Sequence, residues 1–344
     1  MAVHTVEDLK QMQALPLNLK IRLTQSRIRS WVDEYGCDGV YISFSGGKDS
    51  TVLLHIVRDL YPDVEAVFCD TGLEYPEIRD FVKTFENVTW LKPKMNFRKV
   101  IETYGYPFIS KDVSQAIYDI KRQSIKQGIP CRETRLYYRA FNPESEYSKK
   151  YPAYCRSKYD FLFDANFEVS HRCCDIMKKN PAKEFEKETG KKPILAIMAS
   201  ESRLRRVVWL RNGCNAFNSP RPKSTPMAFW TDQDVLQYIK TFNIPICSVY
   251  GNIVEEGELV GQRTLDEFDS SLISPVLRTT GAQRTGCMFC GFGCTTKNWD
   301  NLVKMKETHP KQYQFIMKPW DEGGLGYKDI IDWINEHGNL TIKY

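Results

Sequence analysis

The fold of this chain is decided at residues 40–50, which read VYISFSGGKDS. The first five of these residues are mostly apolar or β-branched and carry no charge, which predicts a buried strand at 40–44. Apolar residues at helical spacing follow the two glycines and predict a helix. These residues are Val52, Leu53, Ile56, Val57 and Leu60. A strand, a glycine loop and a helix in this order predict a phosphate site, because backbone N–H groups and the helix dipole face the anion.

The loop offers the groups that a pyrophosphate needs. Paired glycines admit close approach of oxygens, serine hydroxyls donate hydrogen bonds, and Lys48 neutralises charge. Its spacing differs from that of the Walker loop, because only Lys48 separates the glycines from Asp49. We expect pyrophosphate in another geometry, with Lys48 and Asp49 as catalytic candidates; an ordinary glycine turn is the alternative. The candidate nucleotide-binding residues here are Ser43, Ser45, Gly46, Gly47, Lys48, Asp49 and Ser50.

Strands and helices alternate on both sides of the loop. The pattern predicts a strand at 64–69, a helix at 75–85, a strand at 88–91 and a further strand at 193–198. Such alternation favours an α/β fold with a doubly wound, mostly parallel, Rossmann-like sheet. Ligands bind such sheets at the carboxyl ends of the strands, where the loop lies.

The chain divides by pattern into three segments. Residues 1–36 predict a helical segment broken near Pro16, and residues 37–245 predict the α/β nucleotide-binding domain. A basic, tyrosine-rich insertion interrupts that domain at about 124–168, and residues 246–344 form a helical and irregular C-terminal region with a cysteine cluster.

Composition narrows the class of protein. With 42% hydrophobic residues and a net charge of +5, the 344-residue chain is typical of a globular protein, and the mild charge allows anionic substrates. It has no membrane-length apolar stretch, and its first residues lack the order of a signal peptide. We therefore expect a cytoplasmic protein without a membrane partner. Its eleven cysteines then indicate reduced thiols or metal ligands.

The loop resembles the SGGxDS motif of the adenine nucleotide alpha-hydrolase superfamily, the PP-loop ATP pyrophosphatases. Residues 70–77, DTGLEYPE, and residues 229–245, FWTDQDVLQYIKTFNIP, are similar to segments of the phosphoadenosine phosphosulfate (PAPS) reductase family. Together these matches cover most of the chain. The resemblance implies an adenine-nucleotide enzyme that binds ATP or a sulfonucleotide together with Mg²⁺.

Two further groups are candidates for contacts with that nucleotide. Asp70 and Glu74 follow the second strand and could hold Mg²⁺, with Thr71 and Gly72 beside the nucleotide. The alternative is an acidic pair that favours the start of a helix. Three arginines, Arg203, Arg205 and Arg206, could grip an anionic substrate by bidentate bonds, and Arg203 and Arg206 are the candidates for a catalytic role. A solvated basic helix face is the alternative there.

Four cysteines match the pattern by which one class of these reductases binds a [4Fe–4S] cluster. They are Cys173, Cys174, Cys287 and Cys290. Four thiolates suit an iron–sulfur cluster or zinc, and the resemblance favours the cluster over zinc or unligated thiols. Cys294 and Cys214 are further candidates that could replace one ligand.

The sequence departs from the reductase pattern in two places. Reductases of the family usually carry a degraded loop, whereas this loop is complete. They also use a cysteine in a C-terminal ECG-x-H-like motif, whereas residues 295–344 contain no cysteine. We therefore expect cleavage of ATP to AMP and pyrophosphate, which activates a substrate for sulfur transfer with an iron–sulfur cluster. Reduction of adenylyl sulfate or PAPS is the first alternative, and a nucleotide- or nucleic-acid-binding accessory protein with a structural metal is the second.

Residues 121–160 carry ten Lys or Arg against four Asp or Glu, with tyrosines interleaved. Basic side chains among aromatic rings are typical of a nucleic-acid surface, here for tRNA or DNA. A lid over the nucleotide and a solvated loop are the alternatives. Sulfur transfer or reduction would also require a sulfur or electron donor, for which a partner protein is a candidate.

Overall fold

The computed structural model describes residues 4–256 and 276–344. The strands in the described residues are short. They are β1 (Val40–Ser43), β2 (Ala66–Cys69), β3 (Val88–Leu91), β4 (Phe108–Ile109), β5 (Lys192–Leu195), β6 (Asn215–Ala216), β7 (Lys223–Ser224), β8 (Ile253–Glu255), β9 (Leu277–Thr279) and β10 (Gly291–Phe292).

The main sheet has six strands in the order β3-β2-β1-β5-β7-β6. Its strands pair in parallel except for β6 with β7. The chain runs outward from β1 through β2 to β3 and later returns to β5 on the other side of β1. The strand order therefore reverses beside β1, which is where ligands bind in such sheets. This arrangement confirms the predicted α/β class with a doubly wound, mostly parallel sheet.

Helices cover this sheet and build the rest of the described chain. They are α1 (Val6–Gln13), α2 (Leu17–Tyr35), α3 (Lys48–Leu60), α4 (Pro76–Lys83), α5 (Phe97–Tyr104), α6 (Lys111–Gln127), α7 (Arg135–Phe141), α8 (Glu146–Lys150), α9 (Asn180–Thr189), α10 (Arg203–Asn212), α11 (Asp232–Phe242), α12 (Asn301–Thr308), α13 (Pro310–Met317) and α14 (Tyr327–Gly338).

Burial follows the apolar patterns of the sequence. Val40 and Ile42 of β1 are fully buried, and so are Val52, Leu53 and Val57 on one face of α3. Each of these side chains removes apolar surface from water, worth about 1.5–3 kcal/mol when complete. The core therefore fixes where β1 ends and α3 begins, and the loop between them is held at both ends.

Local signals also set helix boundaries. The break predicted near Pro16 separates α1 from α2, since proline fits only the first turn of a helix. Thr231 caps α11 through a capping box. The Thr231 hydroxyl accepts from the Asp234 N–H, and the Asp234 carboxylate accepts from the Thr231 N–H. The sequence TDQD at 231–234 predicts this box with a helix over 235–242; the box is confirmed, and the helix begins earlier, at Asp232.

The tyrosine-rich segment differs from the sequence prediction. The apolar pattern predicts a helix over residues 113–123, and the structure continues it as α6 to Gln127, where Gly128 adopts φ +66° and ends it. Beyond it, α7 and α8 are short helices, each begun by a side-chain cap from Thr134 or Ser145. Helices of seven and five residues are too short to show a clear hydrophobic period, which is why the sequence pattern missed them.

The described chain forms two compact units. The first unit comprises residues 1–70, 74–92 and 181–285, and it contains the six-stranded sheet and the β8–β9 pair. The second unit comprises residues 71–73, 93–180 and 286–344, and it contains the short parallel pair of β4 and β10. The three-segment division at residues 36 and 245 stays a prediction, and residues 257–275 of its C-terminal region lie outside the described residues. Among the helices in the described ranges, none combines the length and apolarity needed to cross a membrane.

Candidate functional site

The glycine loop closes on itself through its serine hydroxyls. The Ser50 hydroxyl donates to the Gly47 carbonyl at 2.9 Å and accepts from the Ser45 N–H at 3.2 Å. The Ser45 and Ser50 hydroxyl oxygens are 3.0 Å apart. These bonds fix the backbone between β1 and α3 before any ligand arrives. Ser43 ends β1 just before the loop, and its role in nucleotide binding stays a prediction.

Gly46 allows the loop to lie against α4. Its φ is +71°, which lies in the left-handed region, where a residue with a side chain is strained. A Cβ atom at this position would lie 2.8 Å from Val82 Cγ2 and 2.9 Å from Ile78 Cγ2, closer than van der Waals contact allows. Both the backbone angle and the neighbouring helix therefore require glycine.

Lys48 places a buried positive charge at the first turn of α3. Its side chain is 2% exposed, and its ammonium pairs with Asp49 at 3.0 Å and with Asp232 at 2.5 Å. Burial opposes the charged form, but the two carboxylates outweigh it and raise the pKa of Lys48. The ammonium is therefore retained through neutral pH. Asp232 was noted in the sequence only as part of a capping box, and the structure makes it a partner of the loop.

Tyr250 supports the loop from a segment that sequence reasoning overlooked. The backbone N–H of Lys48 donates to its hydroxyl at 3.0 Å, and the same hydroxyl lies 2.7 Å from the Thr285 hydroxyl. Tyr250 is 2% exposed. Its position 202 residues beyond Lys48 left no local sequence signal for this contact.

We expect Tyr250→Phe to destabilise the first unit by about 1–3 kcal/mol, because the Lys48 N–H would lose its buried acceptor. Urea unfolding followed by tryptophan fluorescence measures the change. Thr285→Val is the control, since it removes only the outer partner of the hydroxyl and leaves the bond from Lys48. Equal losses for the two variants would contradict a specific role for the Tyr250 hydroxyl.

Two guanidinium groups converge near Asp49. Arg205 and Arg284 both pair with the carboxylate of Glu201, Arg284 at 2.5 Å. Burial, and next the charge of Arg284, lower the pKa of Arg205, whereas Asp49 acts in the opposite direction. A fork of two arginines held by one carboxylate is suited to binding phosphate or sulfate oxygens.

The arginines singled out from the sequence lie elsewhere on the same helix. Arg203 and Arg206 are exposed in the first turn of α10. Their role in gripping an anionic substrate stays a prediction. Arg205 was named with them but was not chosen for a catalytic role, because sequence alone does not orient three arginines within one helical turn.

The acidic candidates also follow a strand of the sheet. Asp70 and Glu74 are buried in the first unit, and Arg79 pairs with the Asp70 carboxylate at 2.9 Å. In the second unit, the Thr71 hydroxyl accepts from the Leu73 N–H at 3.1 Å, and Gly72 has φ +73°. Across residues 4–256 and 276–344, no three His, Cys, Asp or Glu side chains are arranged to hold one metal ion. The magnesium and nucleotide contacts of these residues stay predictions.

In the second unit, the segment 106–109 pairs with both of the chain segments that carry the distant cysteines. Gly291 and Phe292 pair in parallel with Phe108 and Ile109, directly after the C-x-x-C motif. Two residues earlier, Tyr106 bridges to Val169, four residues before Cys173. Chain segments more than 110 residues apart in sequence are thus tied to residues 106–109.

The four predicted cluster cysteines line a common cavity, together with Lys178 and apolar side chains. The Cys173 and Cys174 sulfurs are 4.0 Å apart. The hydrogen bond from Cys173 lowers the pKa of Cys174 to about 6 against the effect of burial, assisted by Lys111, Lys178 and Lys179. Burial raises the pKa of Cys290 to about 12. The open volume is only about 30 Å³, so the fit to a cluster depends on the four sulfur donors and not on a preformed space.

The two spare cysteines are placed differently. Cys294 is buried and accepts from the Ile109 N–H at 3.3 Å, outside the cavity lining. Cys214 belongs to the first unit, where the Trp209 indole N–H donates to its sulfur at 3.5 Å. Both sulfurs therefore have packing roles in the described structure.

Comparison with known proteins agrees with the predicted resemblance. A family model described as the phosphoadenosine phosphosulfate reductase domain matches residues 39–119 and 137–295. An uncharacterized protein of Methanocaldococcus jannaschii is 33% identical over 130 residues, which cover 36% of this chain and 29% of that protein. The adenosine 5′-phosphosulfate reductase of Geobacillus kaustophilus is 25% identical over 213 residues, covering 62% of this chain and 67% of that one. The chain therefore spans less than a third of the first relative and about two thirds of the second.

A crystal structure of phosphoadenylyl-sulfate reductase from Candida auris, a phosphate complex, aligns with a TM-score of 0.37 and 14% identity. The alignment covers 71% of this chain and 90% of that one.

Proposed function

The chain belongs to the phosphoadenosine phosphosulfate reductase domain family. Within that family, we propose that it is an enzyme that cleaves ATP to AMP and pyrophosphate. The complete loop carries this proposal. Its serine hydroxyls already form hydrogen bonds within the loop. The Lys48 ammonium is buried and is paired with Asp49 and Asp232. Such preorganised charge is the feature that stabilises a phosphoryl transition state most effectively.

The loop residues act on the leaving group. The Lys48 ammonium and the N–H groups of the first turn of α3, other than that of Lys48, would bind the oxygens of the β- and γ-phosphates, which gain negative charge as pyrophosphate departs. A nucleophilic group of the acceptor bonds to the α-phosphorus, the bond from that phosphorus to the bridging oxygen breaks, and the acceptor's proton passes to solvent. The products are an adenylated acceptor and pyrophosphate, and hydrolysis or displacement releases AMP. Asp70 and Glu74 would hold Mg²⁺, which supplies charge neutralisation when bound.

The acceptor is proposed to undergo sulfur transfer, and the cysteine cavity supports this. The four lining thiols, with three lysines nearby, are a donor set for a [4Fe–4S] cluster, with zinc as the alternative. An iron–sulfur cluster supplies electron or sulfur chemistry when bound. A sulfur or electron donor protein would complete the cycle.

The test is to incubate anaerobically purified protein with ATP, Mg²⁺ and a cell extract of RNA or DNA, and to separate the nucleotides by chromatography. We expect AMP and pyrophosphate in equal amounts. Formation of ADP and phosphate, or no AMP with any acceptor, would overturn the proposal.

Sulfonucleotide reduction is the second candidate, favoured by the similarity to the Geobacillus adenosine 5′-phosphosulfate reductase. In that reaction a thiolate attacks the sulfate sulfur, the bond from sulfur to the phosphate oxygen breaks, and AMP or its 3′-phosphorylated form leaves. A second thiol then releases sulfite and forms a disulfide. Sulfite release from adenylyl sulfate or PAPS with thioredoxin, without ATP cleavage, would favour this candidate over the first.

Replacing Cys290 by serine should abolish the visible absorbance near 400 nm that an iron–sulfur cluster gives, because one of four thiolate ligands is lost. Iron, sulfide and zinc analysis of the same samples identifies the bound group. Cys294→Ser is the matched control, since this buried cysteine lies outside the cavity lining. If C290S and C294S bind equal amounts of iron and of zinc, the cavity is not the metal site.

A further inference from the structure

The basic segment 121–160 contains two kinds of cation. One kind is neutralised by carboxylates within the second unit: Lys121 by Glu168, Arg132 by Asp160 and Asp164, Lys149 by Glu144, and Arg156 by Asp112. The other kind has no carboxylate partner in the described structure: Lys150, Lys158 and a set of four, Arg122, Lys126, Arg135 and Arg139. Cations on a protein surface usually pair with carboxylates or lie far from one another. Unpaired cations that lie together therefore indicate a surface for an anionic ligand.

These four cations line one groove. It lies between α6 and α7 and has a volume of about 880 Å³, and no carboxylate is among its described lining residues. Arg122 and Lys126 are one helical turn apart on α6, and Arg135 and Arg139 are one turn apart on α7. The groove is thus flanked by two rows of positive charge, each with a spacing of about 6 Å.

The groove is held in shape by the protein itself. The Gln123 side chain accepts from the Leu136 N–H at 3.2 Å, which joins α6 to the first turn of α7. The Arg139 guanidinium lies 4.7 Å from the centre of the Tyr147 ring, and Arg122 lies 5.8 Å from that of Tyr118. Cation–π contacts orient the guanidinium groups without neutralising them.

Apolar and aromatic surface lies beside the charges. Ile125 in the groove lining is 83% exposed, and Tyr138, on α7 outside that lining, is 54% exposed. Such surface favours a ligand that carries flat apolar groups together with regularly spaced anions. A nucleic-acid strand has both, whereas an acidic peptide lacks the flat bases.

We propose that the groove between α6 and α7 binds a single strand of nucleic acid through its phosphodiester backbone. Three of the four cations are arginines, whose planar forks match phosphate oxygens. In a single strand the bases are free to stack on exposed side chains, whereas in a duplex they stack on one another. This activity is separate from the ATP cleavage proposed above, and either one can hold if the other fails.

The test measures fluorescence anisotropy of labelled 20-nucleotide strands of RNA and DNA with the full chain across a salt series. Four phosphate contacts predict a slope of log K against log salt of about −3. The variant R135Q/R139Q should reduce that slope to about −1.4 and weaken binding at least tenfold at low salt. R122Q/K126Q on α6 should do the same, which keeps the test valid if one variant fails to fold.

K150Q/K158Q is the matched control, because it removes two charges of the same segment that have no carboxylate partner among the described residues and lie outside the groove lining. It should bind like the unmodified chain, and thermal melting checks that each variant is folded. Equal loss in control and groove variants would overturn the proposal. So would absence of strand binding at low salt, equal affinity for a duplex, or displacement by poly-glutamate at matched charge. Comparison of the RNA and DNA strands identifies which sugar the groove prefers.

Discussion

Replacing Lys48 by methionine is expected to lower the rate of pyrophosphate release from ATP by about 10²–10³-fold, the loss typical of removing one preorganised group from a charged transition state. Methionine keeps most of the side-chain volume and removes only the ammonium. The Asp49 and Asp232 carboxylates would then lie unneutralised where phosphate oxygens must approach, which adds repulsion to the lost attraction.

The same variant should lose little stability. The Asp49 side chain is 25% exposed and that of Asp232 is 49% exposed, so water can solvate both after Lys48 is removed. Chromatographic assay of AMP and pyrophosphate gives the rate, and urea unfolding gives the free energy of unfolding.

Lys20→Met provides the matched control. Lys20 is another buried ammonium of the first unit, and it bonds both oxygens of Asp234 at 2.7 Å. Breaking this pair should cost about 3–5 kcal/mol, because Asp234 is left with an uncompensated charge. The folded fraction of K20M should keep its rate. If K20M slows turnover of the folded protein as much as K48M does, the effect of Lys48 is structural and not electrostatic.

Gly46→Ala is expected to destabilise the first unit by about 2–5 kcal/mol and to abolish nucleotide binding. Left-handed backbone costs an alanine about 1–2 kcal/mol, and forcing its Cβ into Val82 and Ile78 adds about 1–3 kcal/mol. Relief of that clash would move the loop away from α4 and change the positions of its N–H groups. Urea unfolding and calorimetric titration with ATP measure the two effects.

Gly190→Ala is the control that separates the cost of the left-handed backbone from the cost of the steric clash at Cβ. Gly190 has φ +74°, close to that of Gly46, but a Cβ there would meet nothing within 4 Å. This variant should lose about 1–2 kcal/mol and bind nucleotide normally. If the two alanine variants are equally stable, the packing of Gly46 against α4 is unimportant.

The SGGKDS loop could be recognised from the sequence because its signals are local. Strand, paired glycines and helix follow one another within residues 40–60, and the core positions of β1 and α3 show the expected periods. The capping box at Thr231 is also local. For the same reason the predicted α/β class is confirmed, although the order of the strands was not readable.

The cysteines show the limit of that reasoning. Their number and spacing indicated a common set, but the sequence did not explain how residues 173 and 290 come together. The explanation is the strand segment 106–109, which pairs with residues on the C-terminal side of one motif and the N-terminal side of the other. Two-residue strands give no period, so this pairing could only be seen in three dimensions.

By itself, the sequence determined that the chain has a complete SGGKDS loop on an α/β sheet, because adjacent residues carry that signal. Only the tertiary structure decided what surrounds the loop: Tyr250 beneath Lys48, Asp232 on its ammonium, and Arg205 with Arg284 on Glu201. It also decided which cations of the basic segment are neutralised and which line the groove. These are contacts between residues far apart in sequence or turned to different sides of one helix, and their energies depend on distance and burial, which residue order does not contain.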